Sequence, residues 1–278
     1  MLCFTLAGTG LRAEPLPSLL TVEGGGDSEG SSDSYLSLDY GLPAGARLLV
    51  SLAGNRNDSQ DNAITTHTTR VGVSSNPLDK LSAGVELEHW GQEDVLVTDT
   101  LRIVMESSLD NWLFSLRPEW ATLTLTTDCI ALIIANCKPE EKVHSSGVAI
   151  DINYFTDGPW GFSIGYASHS YDRHIEALDK YPVFQLVFSA ATLDLAAGVE
   201  DSRSRVGVSY ATTHSLWGLS HLRSVAKVGG SESLVTTLRF STDITKQWRL
   251  RLRAGNQHYA DNSADRVGFA GAGLSYSW

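Results

Sequence analysis

Along almost the whole of this chain, apolar side chains recur at every second residue. The closing stretch GFAGAGLSYSW sets Trp278, Tyr276, Leu274, Ala272 and Ala270 on one face, and Ser277, Ser275, Gly273, Gly271 and Phe269 on the other. In WRLRLRAG, Trp248, Leu250, Leu252 and Ala254 oppose Arg249, Arg251 and Arg253. The pattern repeats in WGFSIGYASHS, in VAIDINYF, in NWLFSLRPEW and in LSAGVELEHW. A period of two is the signature of a strand with two unlike faces, and it excludes an amphipathic helix, whose period is 3.6. Three arginines in a row on one face need water or carboxylates opposite them.

Composition narrows the setting of such strands. Hydrophobic residues make up 42% of the 278 residues, yet the mean hydropathy is −0.09. Two kinds of protein share that balance: a soluble β protein, and a barrel whose polar lumen offsets an apolar skin. A formal net charge of −11 argues against nucleic acid as a partner, because phosphate binding needs a basic face.

The connections separate into two sets. NPLD, LDNW, TDGPW and DITKQW are short and carry the residues of tight turns. They alternate with polar stretches such as GGGDSEGSSD, GNRNDSQDNA, HSYDRHIEALDK, GGSES and YADNSAD, and with the long segment 126–144. The periodic segments number about sixteen, from 17–24 to 265–278, with two short members at 181–189 and 191–200. Fourteen also fits, because those two are brief. The expected fold is therefore all-β: a closed antiparallel transmembrane β-barrel, with short turns at one end and longer loops at the other. A soluble sandwich fits the alternation as well. So many strands, with Gly and Ser across from the aromatics, suit closure better.

In these features the chain resembles the porin-like outer-membrane β-barrels of Gram-negative bacteria. In that class the last strand commonly ends on an aromatic residue with apolar or aromatic residues at alternate positions before it, here Trp278, Tyr276 and Leu274. The resemblance implies residence in the outer membrane. It also implies that the barrel-assembly machinery reads this strand during insertion. It names no particular function. The physical reading of the terminal Trp agrees with it: in lipid a sheet must close on itself, and an aromatic at its margin suits the interfacial girdle. Trp112, Trp160 and Trp248 follow short turns, where the same girdle would lie.

Residues 1–13, MLCFTLAGTGLRA, are short, apolar and rich in small side chains, with Ala13 before EPLP. They are expected to be the end of a secretory signal peptide, lacking its positive n-region, with the barrel over 14–278. Cys129 and Cys137 are then the two cysteines of the exported chain, and their spacing within one loop suggests a disulfide. The apolar run IALIIAN between them could enter the lumen, lie on the membrane, dock a partner or top a long hairpin.

The face opposite the apolar one carries both signs of charge. The expected pore-lining residues are Arg249, Arg251, Arg253, Arg239, Arg205, Arg117 and Arg102 among the bases, and Glu86, Glu88, Glu119, Asp151 and Asp194 among the acids. Bases are denser toward the C-terminal strands. They either face the acids across a lumen or pair with them along the wall. No GxSxG, P-loop, zinc or haem signature occurs, and the histidines do not stand at ligand spacing. A weak metal site at His169, Asp172 and His174 is the best that the spacing offers. The reading is of a non-enzymatic barrel without cofactor or metal: a porin-like channel for small hydrophilic solutes. The alternatives are an accessory barrel with an occluded lumen, bound to a lipoprotein or other partner, and a lipid-acting hydrolase. Outer-membrane lipid and further copies of the chain are the other expected partners.

Overall fold

The computed structural model describes residues 17–59, 62–78, 80–92, 96–126, 140–172, 199–227, 230–260 and 262–278. They form fourteen antiparallel strands closed into one barrel. In chain order these are β1 (Leu19–Asp27), β2 (Ser32–Gly41), β3 (Arg47–Ser59), β4 (Asn62–Leu78), β5 (Leu81–Gln92), β6 (Leu96–Leu109) and β7 (Trp112–Thr126). They continue as β8 (Glu140–Phe155), β9 (Trp160–Tyr171), β10 (Glu200–Ala211), β11 (Ser215–Ala226), β12 (Glu232–Asp243), β13 (Trp248–Tyr259) and β14 (Asn262–Ser277). Every strand pairs with its neighbours in sequence, and β1 pairs with β14 to close the ring.

The count of sixteen becomes fourteen because β9 pairs directly with β10, from Trp160↔Tyr210 to Ser168↔Ser202. Among the described residues no strand stands between them, and Glu200, the last residue of 191–200, begins β10. Residues 173–198 lie outside the described residues, as do 1–16 and 127–139. The segment expected to be a signal peptide, Asp194 and the pair Cys129 and Cys137 fall there.

The end where the termini meet carries tight connections. Asp110 and Asn111 join β6 to β7, with Asp110 at φ +50°. Asp and Asn tolerate that left-handed conformation, and it suits the strand twist of a two-residue hairpin. At the opposite end the expected loops GNRNDSQDNA and YADNSAD are mostly strand, contributing to β3, β4, β13 and β14. The 17 residues of β4 exceed the ~10 that a tilted strand needs to cross a bilayer. These strands therefore run on past the apolar belt.

That belt is the outer surface. On β9 it is Trp160, Phe162, Ile164 and Tyr166, and on β13 it includes Trp248 and Leu252, all exposed. Leu87 is 59% and Ile164 56% exposed. A water-soluble fold does not leave such side chains bare around its whole circumference. The belt ends in a girdle at the tight-turn end. Trp112 meets Tyr154, Trp160 meets Tyr210, Trp217 meets Phe240, and Trp248 meets Tyr276, which stacks on Trp278. Ring contacts of this kind add to sheet stability across strands. Toward the other end the outer face turns polar: His89 bonds Asp99, and His221 bonds Thr236.

The seam is fully bonded. The N–H of Ser18 donates to the Trp278 carbonyl at 3.1 Å, and the Trp278 N–H donates to Ser18 at 3.2 Å. The buried hydroxyls of Thr21 and Ser275 lie 3.0 Å apart across it. A chain in hydrocarbon has no water for an open edge, so closure satisfies a whole row of backbone groups at once.

Candidate functional site

Residues paired across antiparallel strands share a face, so the register assigns each side chain to the inner or the outer surface. Arg70 pairs with Glu88, Glu86 with Arg102, and Arg102 with Glu119. Ser115 pairs with Asp151, Asp151 with Gly165, and Gly165 with Arg205. Gly218 pairs with Arg239, Arg239 with Arg253, and Arg251 with Gly273. All these positions face inward, opposite the apolar belt. Trp90 also points inward, paired with Thr68 and Thr98, and is buried with Leu96, Leu123 and Val143. It is the one tryptophan of the seven that is not on the outer side.

On the arc from β4 to β10 the inward charges are densely paired. Arg102 sits among three carboxylates: Glu119 at 2.8 Å, Glu86 at 3.5 Å and Glu88 at 3.6 Å. The Arg70 guanidinium also donates to Glu88, its Nε at 2.8 Å. His169 Nε2 bonds the Glu119 carboxylate. Asp151 accepts from Arg117 on one oxygen and from Arg205, at 2.7 Å, on the other. Arg102 therefore has its charge neutralised by the wall itself. Such pairs stiffen a barrel more than they attract a solute.

His169 thus faces the lumen and not the outer surface. Alternation along WGFSIGYASHS places it with Gly161 and Gly165 on the inner face, and its partner is Glu119. Asp172 instead accepts from the His144 backbone N–H at 3.0 Å. His174 lies outside the described residues.

The arc from β12 through the seam is different. Arg249 bonds Asp243 at 2.7 Å, near the tight-turn end. Arg251 reaches over β14 to Glu23 on β1, at 2.9 Å. Arg253 reaches farther, to Asp33 on β2. Glycines make this possible. Gly271 and Gly273 are the β14 residues opposite Arg253 and Arg251. A Cβ on Gly271 would stand 2.7 Å from the Arg253 Nε. The long side chains lie flat where β14 has none. Sequence reading identifies the arginines but misses Asp33 as a partner; its alternation with Tyr35, Ser37 and Asp39 is the only trace.

Arg239 has no ion pair among the described residues. Its strongest electrostatic neighbours are the like charges of Arg205, Arg253 and Arg251, followed by Glu23. It is nevertheless exposed.

A closed barrel with an apolar belt, an aromatic girdle and a charged inner wall defines the class: a transmembrane β-barrel protein. No family model matches the chain, and no curated protein matches it in sequence. Among solved structures it is similar to a loop L8 deletion mutant of OmpT, an outer membrane protein of Vibrio cholerae, with 11% identity, 94% of this chain and 98% of that one covered, and a TM-score of 0.49. It is also similar to OccAB1 of Acinetobacter baumannii, with 9% identity, coverage of 94% and 95%, and a TM-score of 0.48. The outer membrane protein OpdK of Pseudomonas aeruginosa matches with 10% identity, coverage of 94% and 98%, and a TM-score of 0.44.

Proposed function

We propose that this protein is a porin-like channel of a Gram-negative outer membrane, passing small hydrophilic solutes along its charged inner wall. One observation carries the reading. Inward side chains on the β10–β13 arc keep contact with water: Arg205 remains 41% exposed although ion-paired, and Arg239 is exposed. A wall of solvated charge inside an apolar exterior is what a water-filled path through lipid requires. In this reading Trp278, Tyr276 and Leu274 are recognised by the assembly machinery during insertion.

The test is conductance of the purified protein in planar bilayers. Steady, reproducible single-channel steps are expected. A protein that inserts, shows heat-modifiable mobility and passes no current would sink the channel reading. It would favour the accessory barrel, whose support is the pairing around Arg102 and Asp151. In that case a lipoprotein or other partner should co-purify with the barrel.

A further inference from the structure

Six inward-facing arginines stand on β10, β12 and β13: Arg203, Arg205, Arg239, Arg249, Arg251 and Arg253. Five of them are drawn sideways by carboxylates. Arg203 lies 3.7 Å from Glu200, and Arg205 leans to Asp151. Arg249 leans to Asp243, Arg251 to Glu23 and Arg253 to Asp33. Arg239 is the exception. Its register partner on β13 is Arg253, a like charge directly across the ladder. On β11 its partner is Gly218, which offers no side chain. Glu23, the acid that acts on it, is already held by Arg251.

Like charges set opposite one another weaken a sheet. An exposed guanidinium that stands among three others keeps a positive potential that the wall does not cancel. The surface beside it is low. Gly218 is followed on the same inner face by Ser220, which pairs with Gly207. A Cβ on Gly218 would find only the Val208 carbonyl, at 4.0 Å. Between Arg205 and Arg239 the wall is therefore a shallow basin with a floor of Gly218 and Ser220, bounded by the Ser163 hydroxyl over Gly207 and by Leu222 opposite Arg205.

From this juxtaposition we infer that the basin between Arg239 and Arg205 is a binding site for small carboxylate anions. The guanidinium of Arg239 is the primary contact, and Arg205, Arg251 and Arg253 supply the surrounding field. A guanidinium presents a fork of N–H donors that matches the two oxygens of a carboxylate. Arg239 has that fork free of any carboxylate among the described residues. The inference deepens the channel reading for its transport role, while binding itself does not need an open pore.

Succinate is the probe, with two variants. Arg239→Gln removes the free charge and leaves a shorter, neutral polar side chain. Gly218→Val fills the basin floor and leaves every arginine in place. Two measurements are made on each: calorimetric titration of succinate into the detergent-folded barrel, and reversal potential under a KCl gradient. The expected result is succinate binding that weakens about threefold or more in both variants, in proportion to one partly solvated charge contact. Chloride preference should also fall in Arg239→Gln. Equal succinate affinity in wild type and both variants, or no binding at all, overturns the site whether or not the protein conducts. Binding that depends on Arg239 in a protein without conductance upholds the site and removes the channel reading alone.

Discussion

At the scale of single residues, Asp151 concentrates the charge balance of the inner wall. It is buried, and it accepts from Arg117 and from Arg205. Asp151→Asn keeps the shape and removes the charge, so two guanidiniums lose their shared counter-ion. A loss of about 2 kcal/mol in folding stability is expected, read as a lower urea midpoint for the barrel in vesicles. Arg223 and Glu232 provide the contrast. They bond through two contacts of 2.7 Å, but on the outer, polar margin, and the Arg223 side chain is half exposed. Glu232→Gln should leave the same midpoint nearly unchanged, because solvent screens the pair. An equal cost at both sites would mean that the lumenal pair is as well solvated as the surface pair. The alternation in VAIDINYF already puts Asp151 on the polar face. It does not reveal the partners, because Arg205 is 54 residues away and comes near only through β9.

At the scale of strands, the period of two assigns faces and leaves register open. Which inward residue lies over which glycine depends on pairings that no local stretch encodes. Gly271 shows the consequence. Gly271→Ala places a Cβ against the Arg253 Nε, at 2.7 Å, and the Gly24 carbonyl, at 2.9 Å. The Arg253 guanidinium must then leave Asp33, or the seam must shift. A loss of about 1–3 kcal/mol follows from overpacking of this kind. Gly268→Ala, on the same strand with nothing within 4 Å of its Cβ, should be near neutral. Thermal shifts of heat-modifiable mobility compare the two. If both behave alike, the arginine does not lie across Gly271. The strand count has the same root. KYPVFQLVF and LDLAAGVE have the composition of strands, and only the direct pairing of β9 with β10 shows that the described wall closes at fourteen. The aromatic girdle was more legible, because turn residues in LDNW, TDGPW and DITKQW mark the membrane margin in the sequence itself.

At the scale of the whole molecule, the barrel depends on what touches its outer face. Ile164 gives the sharpest test, since it is 56% exposed and stands between Phe162 and Tyr166 within the belt. In water, replacing an exposed isoleucine by arginine costs almost nothing, usually within about 0.5 kcal/mol. In the middle of a bilayer the same change costs about 2–4 kcal/mol, because the guanidinium has neither water nor a counter-ion there. Ile164→Arg should therefore lower the yield of folded barrel in vesicles and the urea midpoint of what does fold. Ser204→Arg, on the outer face of β10 where the belt has turned polar, should change either by little, since cost falls toward the interface. The register places Ser204 opposite Tyr166, one step above Ile164 opposite Val206, and the outer neighbours change with that step from Ile152 beside Ile164 to Arg223 beside Ser204. A gradient of cost with depth is the property of a solvent that changes from hydrocarbon to water along the strand. Equal, small effects at both positions would mean that the apolar belt faces something other than lipid.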